Sequence, residues 1–232
     1  MAAALPLTAL AGLRFAGGKA DFGYIREADG PKTIRIYMVN DGDKPEALLK
    51  VRPSCGCTAA SFGKEEVAPG DSVWIDLTYD PPRRPGGFEK SVRVYPVGAE
   101  VTRIPIVGTV VSSPETVAQF FPVDAGLLHL SDSTLMTLSP LADEQRSLYI
   151  DVYNSGDAPV YLRLESGYDA VETQPFPSPL PPGEKGLIGV YINPWKEEVQ
   201  GKITYNLGLH TALSPDSLDS APSFPITVYT SK

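Results

Sequence analysis

The sequence predicts an all-β protein made of two tandem immunoglobulin-like β-sandwiches, and three observations predict it. The first is an ordered repeat. Ile34-Arg35-Ile36-Tyr37-Met38-Val39-Asn40-Asp41-Gly42-Asp43-Lys44-Pro45 returns as Leu148-Tyr149-Ile150-Asp151-Val152-Tyr153-Asn154-Ser155-Gly156-Asp157-Ala158-Pro159. Val67-Ala68-Pro69-Gly70-Asp71 returns as Leu180-Pro181-Pro182-Gly183-Glu184, Tyr79-Asp80-Pro81 as Ile192-Asn193-Pro194, and Ile104-Pro105-Ile106 as Phe224-Pro225-Ile226. The displacement is about 114 residues and becomes about 120 at the last element. Such a period exceeds a solenoid repeat and has the size of a whole domain. The second observation is strict alternation of apolar and polar residues in short runs, the period of a half-buried strand. The third is turn chemistry: 23 Pro and 21 Gly are spread between those runs.

In chain order, the first copy is expected to hold strands near Leu13–Ala16, Asp21–Ile25, Thr33–Asn40, Ala47–Val51, Cys57–Phe62, Ser72–Tyr79, Phe88–Tyr95 and Thr102–Val110. Ile34, Ile36 and Met38 point one way while Thr33, Arg35 and Tyr37 point the other. Val73, Ile75, Leu77 and Tyr79 alternate in the same manner with Trp74, Asp76 and Thr78. The second copy is expected to hold strands near Gly126–Leu130, Leu135–Leu138, Ser147–Asn154, Val160–Glu165, Ala170–Gln174, Gly186–Ile192, Gly201–Leu209 and Ser223–Thr230. Seven or eight short strands per copy with regular turns match a sandwich. No segment carries helical spacing with a capping signal over ten residues. Asn40-Asp41-Gly42-Asp43 and Asn154-Ser155-Gly156-Asp157 read as hairpin turns, because Asn and Gly accept positive φ. Pro105 and Pro225 lack N–H donors and are expected on a sheet edge or at a bulge. The resulting plan is a leader at residues 1–10, one domain at 11–111, a linker at 112–116 around Ser112-Ser113-Pro114-Glu115, and a second domain at 117–232.

Bulk properties narrow the function. The chain has 232 residues, 42% of them hydrophobic, enough for two independent cores. Its net charge is −8, and no basic stripe interrupts it, so the surface repels phosphate backbones and nucleic acid is not an expected partner. No apolar run reaches 18 residues, so no membrane-spanning helix is expected. Ala2 to Gly12 is small and apolar like the core of a secretory signal, yet lacks a basic flank and an A-x-A site. It is read as the remnant of such a signal or as a loose leader. On the first reading the protein works outside the cytoplasm.

Catalytic machinery is not visible. There is no G-x-S-x-G elbow, no phosphate-binding glycine loop and no H-E-x-x-H. His129 lies among Leu127, Leu128 and Leu130 and His210 ends a strand, positions that suit ordinary satisfied imidazoles. Asn40-Asp41-Gly42-Asp43 lacks the ligand ladder and the closing Glu of a calcium loop. No enzyme activity and no cofactor is expected.

Three features remain as candidate sites. Both cysteines, Cys55 and Cys57, fall in Ser54-Cys55-Gly56-Cys57-Thr58, and the second copy has none. They can be structural, redox-active or metal-binding. A disulfide across one residue closes a tight, easily reduced ring, and a single C-x-C supplies only two of the four ligands that zinc usually takes. Trp74 is out of phase with its core-facing neighbours, as is its counterpart Leu187, and is either covered by packing or a ligand platform. Lastly, the second copy carries an extra loop, Thr211 to Pro222, where the first has a short turn at Gly98-Ala99-Glu100. Leu213 and Leu218 in that loop are candidate partner contacts.

The first copy also resembles a bacterial family. Asp21-Phe22-Gly23-Tyr24-Ile25, Val39-Asn40-Asp41-Gly42-Asp43-Lys44-Pro45, Ser54-Cys55-Gly56-Cys57-Thr58, Val67-Ala68-Pro69-Gly70-Asp71 and Asp80-Pro81 with Arg84-Pro85-Gly86 are similar to the D-F-G-x-I, T-N-x-G-D-x-P, S-C-G-C-T, P-G-[DE] and D-P-x-x-R-x-G elements of the domain of unknown function 1573. That family is common in Bacteroidetes envelope proteins and is similar in fold to the ASH/Hydin group of immunoglobulin-like domains. The resemblance covers about residues 13 to 111 and implies export and an immunoglobulin-like fold, but no activity. The second copy keeps the turns and loses the C-G-C, so only the fold carries over. The expected function is a non-catalytic, extracytoplasmic binding or assembly module of the bacterial cell envelope, its partner an envelope protein or a glycan. The alternatives are a thiol–disulfide or metal-responsive protein acting through Cys55 and Cys57, and a carbohydrate-binding module using Trp74.

Overall fold

The computed structural model describes residues 12–138, 146–196 and 201–231 of the chain; the expected leader at residues 1–10 lies outside them. The described residues form strands and one short α-helix. The strands are β1 (Leu13–Arg14), β2 (Ala20–Arg26), β3 (Lys32–Asn40), β4 (Leu48–Pro53), β5 (Thr58–Phe62), β6 (Ser72–Tyr79), β7 (Gly86–Pro96) and β8 (Thr102–Val111). Helix α1 (Pro114–Phe120) follows. Then come β9 (Val123–Asp124), β10 (His129–Leu130), β11 (Thr134–Leu138), β12 (Arg146–Tyr153), β13 (Tyr161–Glu165), β14 (Val171–Phe176), β15 (Lys185–Ile192), β16 (Lys202–Ala212) and β17 (Ser223–Ser231). They assemble into four sheets, ordered β1-β3-β6-β5 and β2-β8-β7-β4, then β14-β15-β12-β10-β9 and β11-β17-β16-β13. The all-β, two-sandwich expectation therefore stands. Contacts divide the chain into two compact units, Met1–Pro82 with Phe88–Thr109, and Arg83–Gly87 with Val110–Lys232.

Alternation builds each core. In β6, Val73, Ile75, Leu77 and Tyr79 are buried while Ser72, Trp74, Asp76 and Thr78 are not. Phe22, Ile25, Met38, Val92, Val94, Ile104 and Ile106 are buried with them in the first unit. Each such side chain contributes about 1.5–3 kcal/mol when withdrawn from water. In the second unit Leu128, Leu130, Ile150, Val152, Ile188, Val190, Leu207, Ile226 and Val228 form the corresponding cluster.

The repeat is visible in hydrogen bonds. Asn40 and Asn154 are both fully buried. Asn40 Nδ2 donates to Lys44 O and Val67 O, both at 2.8 Å, and its Oδ1 accepts from Gly42 N at 3.0 Å. Asn154 Nδ2 donates to Ala158 O and Leu180 O at 2.8 and 2.9 Å, and its Oδ1 accepts from Gly156 N at 3.0 Å. In each copy the Pro-Gly turn is fastened to the same asparagine, Gly70 N to Asn40 O and Gly183 N to Asn154 O, both 2.8 Å.

Four expectations need correction. The two Asn-x-Gly-Asp segments are not hairpins: β3 and β4 lie in different sheets, and neither Gly42 nor Gly156 has positive φ. The asparagines act through hydrogen bonds made at the crossing between sheets, not through left-handed backbone. Pro105 and Pro225 are not on edge strands, since β8 stands between β2 and β7 and β17 between β11 and β16. Pro225 pairs with Gly208, but the β11 ladder begins only at Thr227, so no partner on that side misses its N–H. The expected linker at 112–116 runs into helix α1, which continues to Phe120 and is capped by Ser113 Oγ accepting from Thr116 N, with Pro114 in the first turn. Its Val117 and the following Phe121 cover Tyr153, with the Phe121 and Tyr153 rings 5.2 Å apart. Finally, the expected strand at Gly126–Leu130 keeps only His129–Leu130, paired back onto Val123–Asp124. Gly126, at φ +84°, makes the turn, and its N–H donates to Asp124 Oδ1.

Candidate functional site

The Cys-Gly-Cys motif sits where the chain leaves β4 for β5, crossing from one sheet of the first unit to the other. Cys55 and Cys57 are joined by a disulfide with Cα atoms 5.2 Å apart. Around it each motif residue has a task. Ser54 holds β7 at both ends of one contact: its N–H donates to Ser91 O at 2.9 Å and its Oγ accepts from Ser91 N at 3.1 Å. Cys57 O accepts from Asp80 N, at the end of β6, at 2.9 Å. The buried Thr58 hydroxyl lies 3.6 Å from Cys55 Sγ and 3.8 Å from Cys57 Sγ. Cys57 is only 6% exposed, whereas Cys55 is half-buried and Gly56 exposed. Nothing approaches within 4 Å of the place a Gly56 Cβ would occupy.

The equivalent corner of the second unit, between β13 and β14, is made without sulfur. Gly167 turns at φ +62°. Ser166 Oγ donates to Val171 O at 2.9 Å, and Thr173 Oγ1 donates to Leu164 O at 2.5 Å. Two hydroxyl-to-carbonyl bonds close there what a covalent bond spans in the first unit.

Trp74 faces away from the first core, as expected of its phase, and is half-buried. The Arg35 guanidinium lies over its ring, 4.7 Å from the centroid. Arg35 is fixed there by two bonds to its register partner Asp76, Nε to Oδ1 at 2.6 Å and Nη2 to Oδ2 at 2.7 Å. The hydrogen bond from Arg35 holds the Asp76 carboxyl below the usual carboxylate range and raises the guanidinium in turn. One face of Trp74 is thus taken by a cation–π contact made within its own sheet.

The matching face of the second unit differs. Here β15 carries Leu187, Gly189 and Tyr191 outward, between β14 with Gln174 and Phe176 and β12 with Tyr149 and Asp151. The Tyr191 ring is folded down over Gly189: a Cβ at Gly189 would meet its Cε2 and Cζ at 2.8 Å. Tyr149, register partner of Gly189, stands edge-on to that ring at 6.3 Å and 88°. Phe176 is 72% exposed, and Tyr149 and Leu187 are also exposed. Absence of a side chain at Gly189 leaves the space that the Tyr191 ring occupies in the middle of the sheet face. This surface was not singled out from the sequence, although Tyr149, Leu187 and Tyr191, apolar on the polar phase of their strands, are the signal for it.

The extra loop of the second unit is shorter than expected, because β16 runs through Ala212 and leaves residues 213–222 as the connection. It is internally bonded. Pro215–Ser217 form a 3₁₀ turn, Asp219 pairs with Arg163 at 2.5 Å, and Ala221 O lies 3.0 Å from His210 Nδ1. Leu213 is 59% exposed, while Leu218 is half-buried. His210 also lies 3.4 Å from Glu165. His129 lines a cavity of about 410 Å³ with Val117, Phe121 and Asp124. The structure brings none of Cys55 and Cys57, Trp74, and the Leu213–Leu218 loop together into one site; they occupy separate elements. Among the described residues no group of three or more His, Cys, Asp or Glu could hold a metal ion. No described helix is long and apolar enough to cross a membrane.

Comparison with known proteins adds a family. Residues 13–110 match the family model described as "Protein of unknown function (DUF1573)". No curated protein matches the sequence. Among solved structures, the chain is similar to a protein of unknown function from Porphyromonas gingivalis W83, at 16% identity over 95% of this chain and 99% of that one, with a TM-score of 0.39. It is also similar to the CupB2 chaperone of Pseudomonas aeruginosa, at 12% identity over 86% and 98% with a TM-score of 0.31. A third likeness is to the E. coli chaperone DraB, at 13% identity over 94% and 97%, again with a TM-score of 0.31.

Proposed function

We propose, for a chain whose first copy belongs to the DUF1573 family, a non-catalytic binding or assembly role in the bacterial cell envelope, outside the cytoplasm. The observation that carries the binding role is the open face of β14, β15 and β12, where Phe176, Leu187, Tyr149 and Tyr191 lie side by side on a rigid sheet. Aromatic rings held by strands lose little conformational freedom on contact and dominate interface energies. The compartment is supported by the Cys55–Cys57 bridge, since disulfides persist where the surroundings are oxidising.

Fractionation of native cells tests the reading. The protein should co-sediment with washed envelopes, and Phe176→Ser with Tyr149→Ser should reduce the retained fraction by about tenfold, as loss of central aromatic contacts does. A protein confined to the cytoplasmic fraction would overturn it.

One observation favours a glycan as the occupant of that face. The Tyr191 ring packs over Gly189 and is partly exposed, an aromatic surface of the kind that stacks against the apolar face of a sugar ring, and the exposed Gln174 and Asp151 near it can bond hydroxyls. Those carboxylate surroundings and the net charge of −8 favour a neutral glycan over an anionic one. Gly189→Ala would lift the ring while leaving Tyr191 in place. Retention on neutral polysaccharide that survives this change would rule the glycan out and leave a protein partner.

A further inference from the structure

We propose that Cys55–Cys57 is a thiol–disulfide exchange site for a cysteine thiolate of a partner protein, and not a staple of the first sandwich. The two units make the same corner by different means, and the comparison shows what the corner requires. Ser166 and Thr173 close it in the second unit with two hydroxyl bonds, so the fold does not call for sulfur there. The bridge is also a poor staple by its length. It encloses Gly56 alone, and the unfolded-chain freedom that a disulfide removes shrinks as its loop shortens. Ser54 already fastens the first-unit corner to Ser91 through two bonds.

The surroundings of the two sulfurs are asymmetric in the way exchange needs. Cys55 is half-buried beside an exposed Gly56 with open space over it, whereas Cys57 is buried. Cys55 is therefore the sulfur that an incoming thiolate reaches. Attack on Cys55 Sγ forms a partner–Cys55 bond and breaks the Cys55–Cys57 bond, and the electron pair leaves on Cys57 as a thiolate. The Thr58 hydroxyl, 3.8 Å from Cys57 Sγ, is placed to donate to that charge. A second thiolate of the partner then attacks the partner's own sulfur in the mixed disulfide and frees Cys55 as a thiolate. In sum, two electrons pass from a partner dithiol to Cys55–Cys57, and the partner leaves with a disulfide. Each molecule does this once, so the step needs no further oxidant and fits a stoichiometric assembly role. This site stands independently of the sheet face on the second unit.

The test uses the full chain and dithiothreitol as the probe dithiol. In native buffer the bridge should be reduced within about tenfold of its rate in denaturant, because exposure governs exchange. The first unit should remain folded, as read by the near-ultraviolet circular dichroism of Trp74 in a Trp195→Phe chain. Cys57→Ser, left with Cys55, should form a mixed disulfide with oxidised glutathione about tenfold faster than Cys55→Ser, left with the buried sulfur. Reduction that proceeds only after unfolding would overturn the proposal, and so would equal labelling of the two single variants. The first measurement needs no variant and decides the matter even where a substitution prevents folding. Neither failure touches the envelope-binding reading, which is scored on Phe176 and Tyr149 with the cysteines intact.

Discussion

Asn40 and Asn154 each satisfy three main-chain groups inside the protein, and a buried carbonyl that loses its donor costs about 1–3 kcal/mol. Asn40→Ala leaves Lys44 O without its donor, takes one of two donors from Val67 O, which keeps Glu46 N, and removes the acceptor of Gly42 N. Its melting temperature should fall by about 8 °C or more in a unit of this size, and the fall should be matched by Asn154→Ala in the second unit. A change of less than a couple of degrees in differential scanning calorimetry would show that water replaces the bracket. The Arg35–Asp76 pair is a different case because it is solvent-exposed, where ion pairs add little. Its sign is still defined. The Asp76 carboxyl is lowered in the folded state by its bond to Arg35, so the stabilisation it gives is present above the unfolded carboxylate pKa and is lost as pH falls through the lower folded value. Asp76→Asn should therefore melt below the unmodified protein at neutral pH, with the difference vanishing in acid. A difference that grows in acid would contradict the pairing. These residue roles were only half legible. Asn at a turn was evident from Asn40-Asp41-Gly42-Asp43, but its partner Val67 lies 27 positions along the chain, and no local pattern points to it.

At the scale of elements, period-two alternation in Ser72–Tyr79 placed a strand that the structure reproduces residue for residue, because one wet face and one dry face leave only one register free of penalty. Helix α1 escaped because its seven residues are too few to show a 3.6-residue period. Its start was nonetheless written in Ser113-Pro114-Glu115, a cap, a first-turn proline and a first-turn acid. Ser113→Ala should lower the stability of the second unit by about 1 kcal/mol, measured by urea denaturation; no loss would mean that packing of Val117 and Phe121 on Tyr153 alone holds the helix. The aromatic face was not legible either, since Gly189 reads as a gap in a strand until Tyr191 is seen lying over it. The loop at 213–222 was located correctly by the jump in repeat spacing, yet its order comes from Arg163–Asp219 and His210–Ala221, whose partners lie outside it.

For the whole molecule the decisive property is that each copy closes its own core. The main cluster of the second unit draws only on residues between Ala125 and Val228, and α1 adds Val117 and Phe121 against Tyr153 of the same unit. A domain of about 120 residues buries enough apolar surface to fold alone, so a fragment of residues 112–232 should be monomeric and strand-rich and should melt cooperatively. Its first strands require the cap and the ring contact to form together, because Ser112 N donates to Tyr153 Oη at 2.9 Å and so ties the chain entry to β12. A fragment starting at 122 removes that tie along with Val117 and Phe121, exposing Tyr153. It should keep the strand signal yet melt lower, by the several degrees that loss of about 2–4 kcal/mol of aromatic and aliphatic burial implies. Equal melting of the two fragments would mean that the helix rides on the unit without stabilising it, and the boundary would return to residue 117.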